Sequence, residues 1–256
     1  MKLGFKSTAI SDIGLHRDGN EDSALISPVL IAVADGMGGH AAGEVASKIA
    51  IDALTGLAKL LTDSEIDSDS KEDLLLGVTT EIDDELATRT KSHPEFAGMG
   101  TTLTALFLNG SDVELLHVGD SRCYRIKKDK VEQLSHDHTV MQELLDQGRL
   151  RADEVANHPQ RSLLTQVLMG DAPIHPLLLV KEVKVGDKFL LCSDGLSSVL
   201  SDAEINKIIK TGGDLIGNLV AAVRDHGAPD NITIVLSEVV ALEEASALEK
   251  FGAARV

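Results

Sequence analysis

Apolar residues recur every three to four positions in two stretches of this chain of 256 residues, and this spacing predicts two amphipathic helices. The first helix follows a glycine-rich stretch at 36–39. The second follows the polar segment Thr62–Asp73, which we expect to be a solvated loop, with Ser70 and Asp73 placed as a capping pair. The apolar positions are Ala46, Ile49, Ala50, Ala53, Leu54 and Leu57 in the first helix, and Leu74, Val78, Ile82 and Leu86 in the second.

The centre and the end of the chain carry shorter apolar or alternating runs that are typical of β-strands. Turn residues separate the first four of these runs, which favours an antiparallel meander. Helices are predicted to begin near Ser201, where Glu204 completes a capping box, and near Asp214. The strand-like runs are Thr101–Asn109, Val113–Val118, Arg122–Lys127, Val131–Leu134, Lys188–Gly195 and Asn231–Val239.

Residues 137–171 interrupt the strand pattern with one short helical stretch and a polar, loop-like region. We expect them to leave the sheet and to lie near the strand ends as a flap. No linker rich in Pro, Gly or Ser divides the chain, so residues 1–240 are predicted to form one domain. Residues 241–256 are polar and helix-prone, and we expect them to form a peripheral C-terminal tail.

The composition limits the class of protein. Hydrophobic residues make up 43% of the chain, but with no Trp, one Tyr and five Phe the core must be aliphatic. No apolar run approaches the roughly 18 residues that a membrane span needs, and the first residues lack the apolar region of a signal peptide. We therefore expect a cytoplasmic protein without membrane association, in which Cys123 and Cys192 are buried, reduced thiols.

The charge and two missing motifs narrow the function further. A formal net charge of −17 argues against a nucleic-acid partner, because phosphate backbones are bound by clustered Lys and Arg. No arginine stands six residues after either cysteine, as a phosphatase with a cysteine nucleophile requires. The glycine loop contains no G-x-x-x-x-G-K-[ST] motif, so nucleotide binding by a P-loop is unsupported.

Aspartate recurs at the ends of the predicted strands. Asp35 ends the run LIAVAD, Asp194 ends FLLCSD and Asp120 follows LLHVG, whereas Asp22 and Asp230 each precede a strand-like run. A single aspartate in such a place is usually a turn or capping residue. If the strands lie side by side, however, the carboxylates converge and repel each other in a low-dielectric cleft. Divalent cations remove this repulsion, and all-oxygen ligands favour Mg²⁺ or Mn²⁺ over Zn²⁺.

Such a centre indicates chemistry at phosphorus. Two ions about 3.5–4 Å apart hold a bridging water and lower its pKa, which leaves a hydroxide able to attack. The guanidinium of Arg17 could hold the phosphoryl oxygens, and His40 could protonate the departing alkoxide. The alternatives are a surface salt bridge of Arg17 with Glu21 or Asp22, and a role for His40 as a polar residue at the start of a helix.

Six short motifs stand in order along the chain: RDGNED (17–22), VADGMGGHAAGEVAS (33–47), GMGTT (98–102), HVGDSR (117–122), LLCSDGL (190–196) and PDNIT (229–233). Together they resemble the PP2C, or PPM, family of metal-dependent serine/threonine phosphatases, in its stand-alone bacterial form. The resemblance spans about residues 7–239. It implies an α+β fold, a four-layer α-β-β-α sandwich of two antiparallel sheets flanked by helices, with metal ions between the sheet edges.

The resemblance implies a metal-binding role for several of these residues. Asp35 would bridge two metal ions, and the carbonyl of Gly36 would bind one of them. Asp194 and Asp230 would bind the second ion, with Asp22 ligating it or ordering its waters. Glycine directly after the bridging residue leaves room for this approach, because it has no Cβ.

Further roles follow from the same resemblance. Asp120 and Asp194 would form a third, weaker metal site. Arg17 would clamp the substrate phosphate, and His40 would act as the general acid. Residues 137–171 correspond to the flap of the family, which is thought to influence the choice of substrate.

The activity that this resemblance implies is hydrolysis of phosphoserine and phosphothreonine in proteins, by a metal-bridged hydroxide that attacks in line, without a phosphoenzyme. Phosphorylated proteins would be the partners, among them a bacterial Ser/Thr kinase and its substrates, and we expect a monomer. One departure, Gln166 where relatives usually carry Arg, bears on substrate preference rather than on chemistry. The alternative is a catalytically idle relative that binds a partner or a phosphopeptide.

Overall fold

The structure is a computed structural model that describes residues 2–39, 42–62, 66–127, 130–155, 158, 160 and 162–255. The strands are β1 (Leu3–Asp12), β2 (Asp22–Ile26), β3 (Leu30–Met37), β4 (Gly100–Thr101), β5 (Leu103–Asn109), β6 (Asp112–Val118), β7 (Arg122–Lys127), β8 (Lys130–Gln133), β9 (Leu177–Glu182), β10 (Lys188–Cys192), β11 (Ile232–Ala241) and β12 (Glu249–Gly252). The α-helices are α1 (Ala42–Leu61), α2 (Ser68–Ser92), α3 (Val140–Asp146), α4 (Ala152–Val155), α5 (Asp194–Ser197), α6 (Asp202–Thr211) and α7 (Leu215–Asp225).

These strands form two antiparallel sheets. The first sheet has the order β1-β11-β10-β7-β8, and the second has the order β12-β2-β3-β5-β6-β9, with β4 paired to β3. The meander expected between residues 101 and 134 is wrong, because the hairpins β5–β6 and β7–β8 belong to different sheets. The chain crosses from one sheet to the other at Gly119, whose φ of 105° lies in the left-handed region that favours glycine.

The four layers follow from the alternation of side chains along the strands. In β3, Ile31 and Val33 belong to a buried cluster that also takes in apolar residues of the first sheet, so this cluster lies between the sheets. Leu30, Ala32 and Ala34 belong to another cluster with residues of α1 and α2. A third cluster packs α6 and α7 against β10 and β11 of the first sheet. The expected α-β-β-α sandwich is therefore confirmed.

Helices α1 and α2 cover the second sheet, and the sequence predicted the position of α1 more accurately than that of α2. Helix α1 buries its predicted apolar face. Helix α2 begins earlier than expected, because the carboxylate of Asp67 caps it by accepting a hydrogen bond of 2.9 Å from the backbone N–H of Ser70. The prediction that Ser70 and Asp73 form a capping pair is therefore wrong. The prediction of a loop is wrong from Ser68 onward, where α2 begins, and residues 63–65 lie outside the described residues. With this start, Leu75 is fully buried while Leu74 is 37% exposed.

Helices α6 and α7 begin where the sequence places them. Ser201 and Glu204 form the predicted capping box at α6. The side chain of Asp214 caps α7 by accepting a hydrogen bond from the backbone N–H of Gly217. The two cysteines, Cys123 and Cys192, are free and buried, as expected.

The end of the chain differs from the expected peripheral, helix-prone tail of residues 241–256. Its strand β12 pairs with the outer edge of β2, and Ala254 is fully buried beside it. Phe251 packs against the cluster between the sheets. Here the free hydrogen-bonding edge of β2 overrides the local helical preference, as tertiary context commonly does. The last residue, 256, lies outside the described residues.

The segment 137–171 leaves the sheets, and its described part contains α3 and α4. An isolated bridge between Thr139 and Leu164 closes the segment on itself, and a second one between Leu168 and Thr101 of β4 joins it to the rest of the domain. None of the described helices has the length and apolar character needed to cross a membrane.

The contrast between Leu75 and Leu74 gives a direct test of the register of α2. Leu75→Ala should lower the free energy of unfolding by about 2–5 kcal/mol, because it leaves a cavity in the core. Leu74→Ala should lower it by less than about 1 kcal/mol, because more than a third of Leu74 is already exposed to solvent. Urea unfolding monitored by circular dichroism measures both changes, and a larger effect at Leu74 would contradict the helix start at Ser68.

Candidate metal centre

The centre lies near the C-terminal end of β3, where the apolar run of this strand stops at Asp35. Strand β2 runs antiparallel to β3 and places Asp22 opposite Asp35 in the register. Asp22 is almost fully buried, whereas Asp35 keeps some access to solvent. Both carboxylates of this pair therefore come from the second sheet.

The first sheet contributes the facing carboxylates. Asp194 stands two residues after β10, and Asp230 stands two residues before β11, the neighbour of β10 in the sheet. The hydroxyl of Ser193 reaches across and donates a hydrogen bond of 2.7 Å to the carboxylate of Asp22. The carboxylates of Asp35 and Asp194 are near enough that the charge of Asp194 raises the pKa of Asp35. The structure thus brings together acidic residues that are distant in the sequence.

Burial and mutual repulsion make these carboxylates hard to ionise. Burial, and after it the charges of neighbouring carboxylates, raise the pKa of Asp22 to about 7 and that of Asp194 to about 6. The pKa of Asp35 is raised well above its usual range by burial and then by the charges of Asp22 and Asp194. Such a cluster needs either protons or cations to be stable.

Asp120 joins this cluster from the crossing between the sheets. Its pKa is raised to about 7 by burial and then by Asp194 and Asp137. Asp120 and Asp194 together line a cavity of about 480 Å³. The pair expected to form a third metal site is therefore close in space.

Arg17 has a partner that the sequence did not indicate. Its guanidinium donates a hydrogen bond of 2.7 Å to the carboxylate of Asp230, rather than pairing with Glu21 or Asp22. The Arg17 side chain is 46% exposed. A partly exposed guanidinium at the rim of an acidic cluster can exchange this carboxylate for an oxygen of a bound anion.

The structure gives Asp137 and His117 roles outside the carboxylate cluster, and it does not describe His40. Asp137 lies just before α3 but does not cap it, because Thr139 does, and Asp137 is buried in a salt bridge of 2.6 Å with Arg122. His40, the predicted general acid, lies outside the described residues. His117 is buried, and its imidazole is hydrogen-bonded to the hydroxyl of Thr104 in β5 and to the backbone carbonyl of His136.

The motif GMGTT (98–102) holds the backbone of Asp35, a role that its sequence did not indicate. The backbone N–H of Asp35 donates to the hydroxyl of Thr102 at 3.0 Å, and its carbonyl accepts from the hydroxyl of Thr101 at 3.0 Å. Thr102 also shares a hydrogen bond of 2.8 Å with the hydroxyl of Ser121, the residue after Asp120. Both threonines are buried, so these bonds fix where the acidic side chains start.

Asn231, in the motif PDNIT, fixes the loop that precedes Asp22. Its side-chain oxygen accepts a hydrogen bond of 2.8 Å from the backbone N–H of Glu21. Its amide nitrogen donates to the carbonyls of Ile13 and Gly19. The position of Asn231 directly after Asp230 is the feature of the sequence that could have indicated this role.

Gly36 and Gly195 have a packing reason to be glycine that differs from the expected one. A Cβ on Gly36 would lie 2.1 Å from the carbonyl oxygen of Gly43 at the start of α1. A Cβ on Gly195 would lie 1.8 Å from the carbonyl oxygen of Asn231. Neither position can carry a side chain without a backbone shift, so both glycines let the surrounding segments approach the carboxylates closely.

The donor set is suited to hard divalent cations. It consists of carboxylate oxygens, which are hard ligands and favour Mg²⁺ or Mn²⁺. Within the described residues, however, no three His, Cys, Asp or Glu side chains already form a ready-made metal site. Two carboxylates are instead held by protein donors, Asp230 by Arg17 and Asp22 by Ser193. Cation binding would therefore compete with the bond between Arg17 and Asp230.

The sandwich, with its acidic cluster between the sheets, is the fold of solved bacterial serine/threonine phosphatases. The structure of the PstP catalytic domain in complex with two manganese ions has a TM-score of 0.82 and 37% identity, covering 93% of this chain and 100% of that one. The sequence profile of the protein phosphatase 2C family matches residues 20–228. The chain belongs to the protein phosphatase 2C family, which confirms the family resemblance.

Two curated relatives place the chain within the family. The serine/threonine protein phosphatase PstP of Mycobacterium tuberculosis is 39% identical over 243 residues, which are 93% of this chain and 46% of the relative. This chain therefore spans about half the length of that protein. The serine/threonine phosphatase stp of Listeria innocua is 35% identical over 89% of this chain and 93% of the relative.

The crowding of carboxylates predicts that neutralising one of them stabilises the metal-free fold. The pKa of Asp194 is raised from its ordinary value of 3.8 to about 6 in the folded protein. Its ionisation in the folded state, at pH values above about 6, therefore lowers the free energy of unfolding. In EDTA at about pH 7.5, Asp194→Asn should raise the free energy of unfolding by roughly 1–3 kcal/mol. The gain should disappear near pH 4, where the wild-type carboxylate is protonated in the folded state.

Urea unfolding at the two pH values measures this difference, with the exposed Asp225→Asn in α7 as the matched control. The control should change stability little at either pH, because no carboxylate cluster surrounds it. A loss of stability in Asp194→Asn at both pH values would contradict the repulsion and would mean that the fold needs this charge.

Proposed function

We propose that this chain is a metal-dependent phosphatase that hydrolyses phosphoserine and phosphothreonine in proteins. The observation that carries the proposal is the convergence of Asp22 and Asp35 from one sheet with Asp194 and Asp230 from the other. A buried cluster of carboxylates has no structural benefit of its own, because its members destabilise one another. It is suited to holding cations, and phosphoryl transfer is the chemistry for which paired hard cations are commonly used.

The residues present fit two core ions, Mn²⁺ or Mg²⁺. Asp35 would be shared by both ions, the carbonyl of Gly36 would bind one of them, and Asp194 and Asp230 would bind the other. Asp22 would ligate the second ion or order its waters. When bound, the ions supply positive charge that acidifies a water molecule and neutralises the phosphoryl oxygens. The two manganese ions in the PstP catalytic domain support this assignment.

Asp120 and Asp194 are the pair proposed for a third, weaker ion. Both carboxylates line the same cavity, and each raises the pKa of its neighbours by its charge. This cavity also contacts α3, in the segment 137–171 that we propose as the flap. Within that segment, the side-chain oxygen of Gln166 accepts a hydrogen bond of 2.9 Å from the backbone N–H of His175, so this residue serves the local fold.

The remaining steps belong to the protein's own side chains. Arg17 would leave Asp230 and present its planar fork to two phosphoryl oxygens, which fixes the phosphorus for in-line attack. Thr101 and Thr102 would keep the main chain of Asp35 in place during the reaction. His40 would give a proton to the departing serine or threonine oxygen, because its ordinary pKa lies near physiological pH.

The proposed substrates are phosphorylated proteins, and the proposed biological role is to oppose a bacterial Ser/Thr kinase and its targets. The names of the relatives, serine/threonine protein phosphatases from M. tuberculosis and Listeria, support this substrate class. We further propose that the chain acts as a monomer in the cytoplasm.

Metal dependence is the first test. Wild-type protein should hydrolyse 4-nitrophenyl phosphate with Mn²⁺ and lose this turnover in EDTA, and Asp35→Asn should reduce it to background, because the shared carboxylate is missing. The matched control is Asp18→Asn, an exposed aspartate in the same loop as Arg17, which should keep its turnover. Folded wild-type protein without metal-dependent turnover would support the idle, partner-binding relative instead.

The role of His40 is tested by the leaving group. His40→Ala should lower kcat for a phosphoserine peptide by about 10²–10⁴-fold, because the alkoxide needs a proton. For 4-nitrophenyl phosphate the loss should be less than about tenfold, because 4-nitrophenolate departs without one. Equal losses with both substrates would remove His40 from the role of general acid.

A further inference from the structure

A long groove runs along the seam between α1 and α2, on the outer layer of the molecule. It consists of two adjoining cavities of about 770 and 750 Å³, which share Ala53 and Glu81 in their lining. Leu60 of α1 and Leu74 of α2 border it and are 53% and 37% exposed. The groove shares no lining residue with the carboxylate cluster, so the proposed chemistry does not explain it.

Two glycines keep this groove open. Gly56 of α1 and Gly77 of α2 both line it, and both lie inside long helices. A Cβ at either position would meet nothing within 4 Å, so packing does not require glycine there. Glycine is one of the poorest residues for a helix interior. Two unforced glycines that face one groove indicate a use for the space, since alanine would make a more stable helix.

The rim of the groove is acidic. Asp73, Glu81 and Asp84 line it, and in the described part of the chain no Lys, Arg or His forms an ion pair with them. Lys59 and Arg89 also line the groove, but Arg89 pairs with Glu85, and acidic residues outnumber basic ones along α2. An apolar floor with unpaired acidic residues at its edges matches a segment that carries apolar side chains flanked by Lys or Arg.

We propose that this groove is a docking site for a basic amphipathic helix of a partner protein. The apolar face of that helix would lie over Gly56 and Gly77, between Leu60 and Leu74, and its Lys and Arg side chains would meet Glu81 and Asp73. The site is separate from the carboxylate cluster, so the proposal does not depend on the proposed phosphatase activity.

Fluorescence anisotropy with a labelled Leu/Lys amphipathic peptide of about 14 residues tests this proposal, with a Leu/Glu peptide of the same pattern for comparison. Wild-type protein should bind the Leu/Lys peptide at least tenfold more tightly. Gly77→Leu should weaken this binding at least tenfold, because it fills the groove, while the melting temperature rises or stays the same. Turnover of 4-nitrophenyl phosphate should not change in this variant.

Two matched controls separate the groove from the general negative charge of the chain. Ala221→Leu adds the same side chain at an exposed position of α7, on the opposite outer layer, and should leave the affinity within twofold of wild type. Glu81→Gln should weaken binding of the Leu/Lys peptide several-fold more than Glu244→Gln, which removes an exposed charge elsewhere. The proposal is overturned if Gly77→Leu binds as well as wild type, if Ala221→Leu weakens binding equally, or if both peptides bind alike.

Discussion

The structure depends on keeping several carboxylates close together in a place that disfavours their charges. Asp35 stands at the centre of this conflict, because burial and the charges of Asp22 and Asp194 all raise its pKa. Neither sheet could gather these groups alone, since each supplies only part of the set. The sandwich brings the ends of β3, β10 and β11 face to face, and a cation bound between them would relieve this repulsion.

A cluster of like charges would spread apart unless its main chain were fixed, and the fold supplies that constraint with neutral groups. Thr101 and Thr102 hold both backbone polar groups of Asp35. Asn231 ties down the loop before Asp22, and Ser193 bridges the two sheets with its hydroxyl. These contacts are buried hydrogen bonds that cost much to leave unmade. The acidic side chains can therefore respond to a cation while their backbone stays in place.

Local patterns predicted much of the framework, whereas tertiary pairing decided what they missed. The spacing of apolar residues located α1, and the capping box at Ser201 located the start of α6. The split of the central hairpins between two sheets could not be predicted, because each hairpin looks the same in either sheet. Strand β12 forms for a similar reason, since β2 offers an open edge to a segment with helical preference. The motifs predicted which acidic residues converge, but not the bond between Arg17 and Asp230, which joins residues far apart in the chain.

In the groove between α1 and α2 the sequence works against the local fold, because its glycines make both helices less stable than alanine would. The central claim, however, concerns the cation site, and crystals soaked in Mn²⁺ test it most directly through anomalous diffraction. The account predicts two strong anomalous peaks beside the carboxylate of Asp35, with Asp194 and Asp230 around one of them and Arg17 released from Asp230. A map without peaks at this site, or with Mn²⁺ bound only elsewhere, would contradict it.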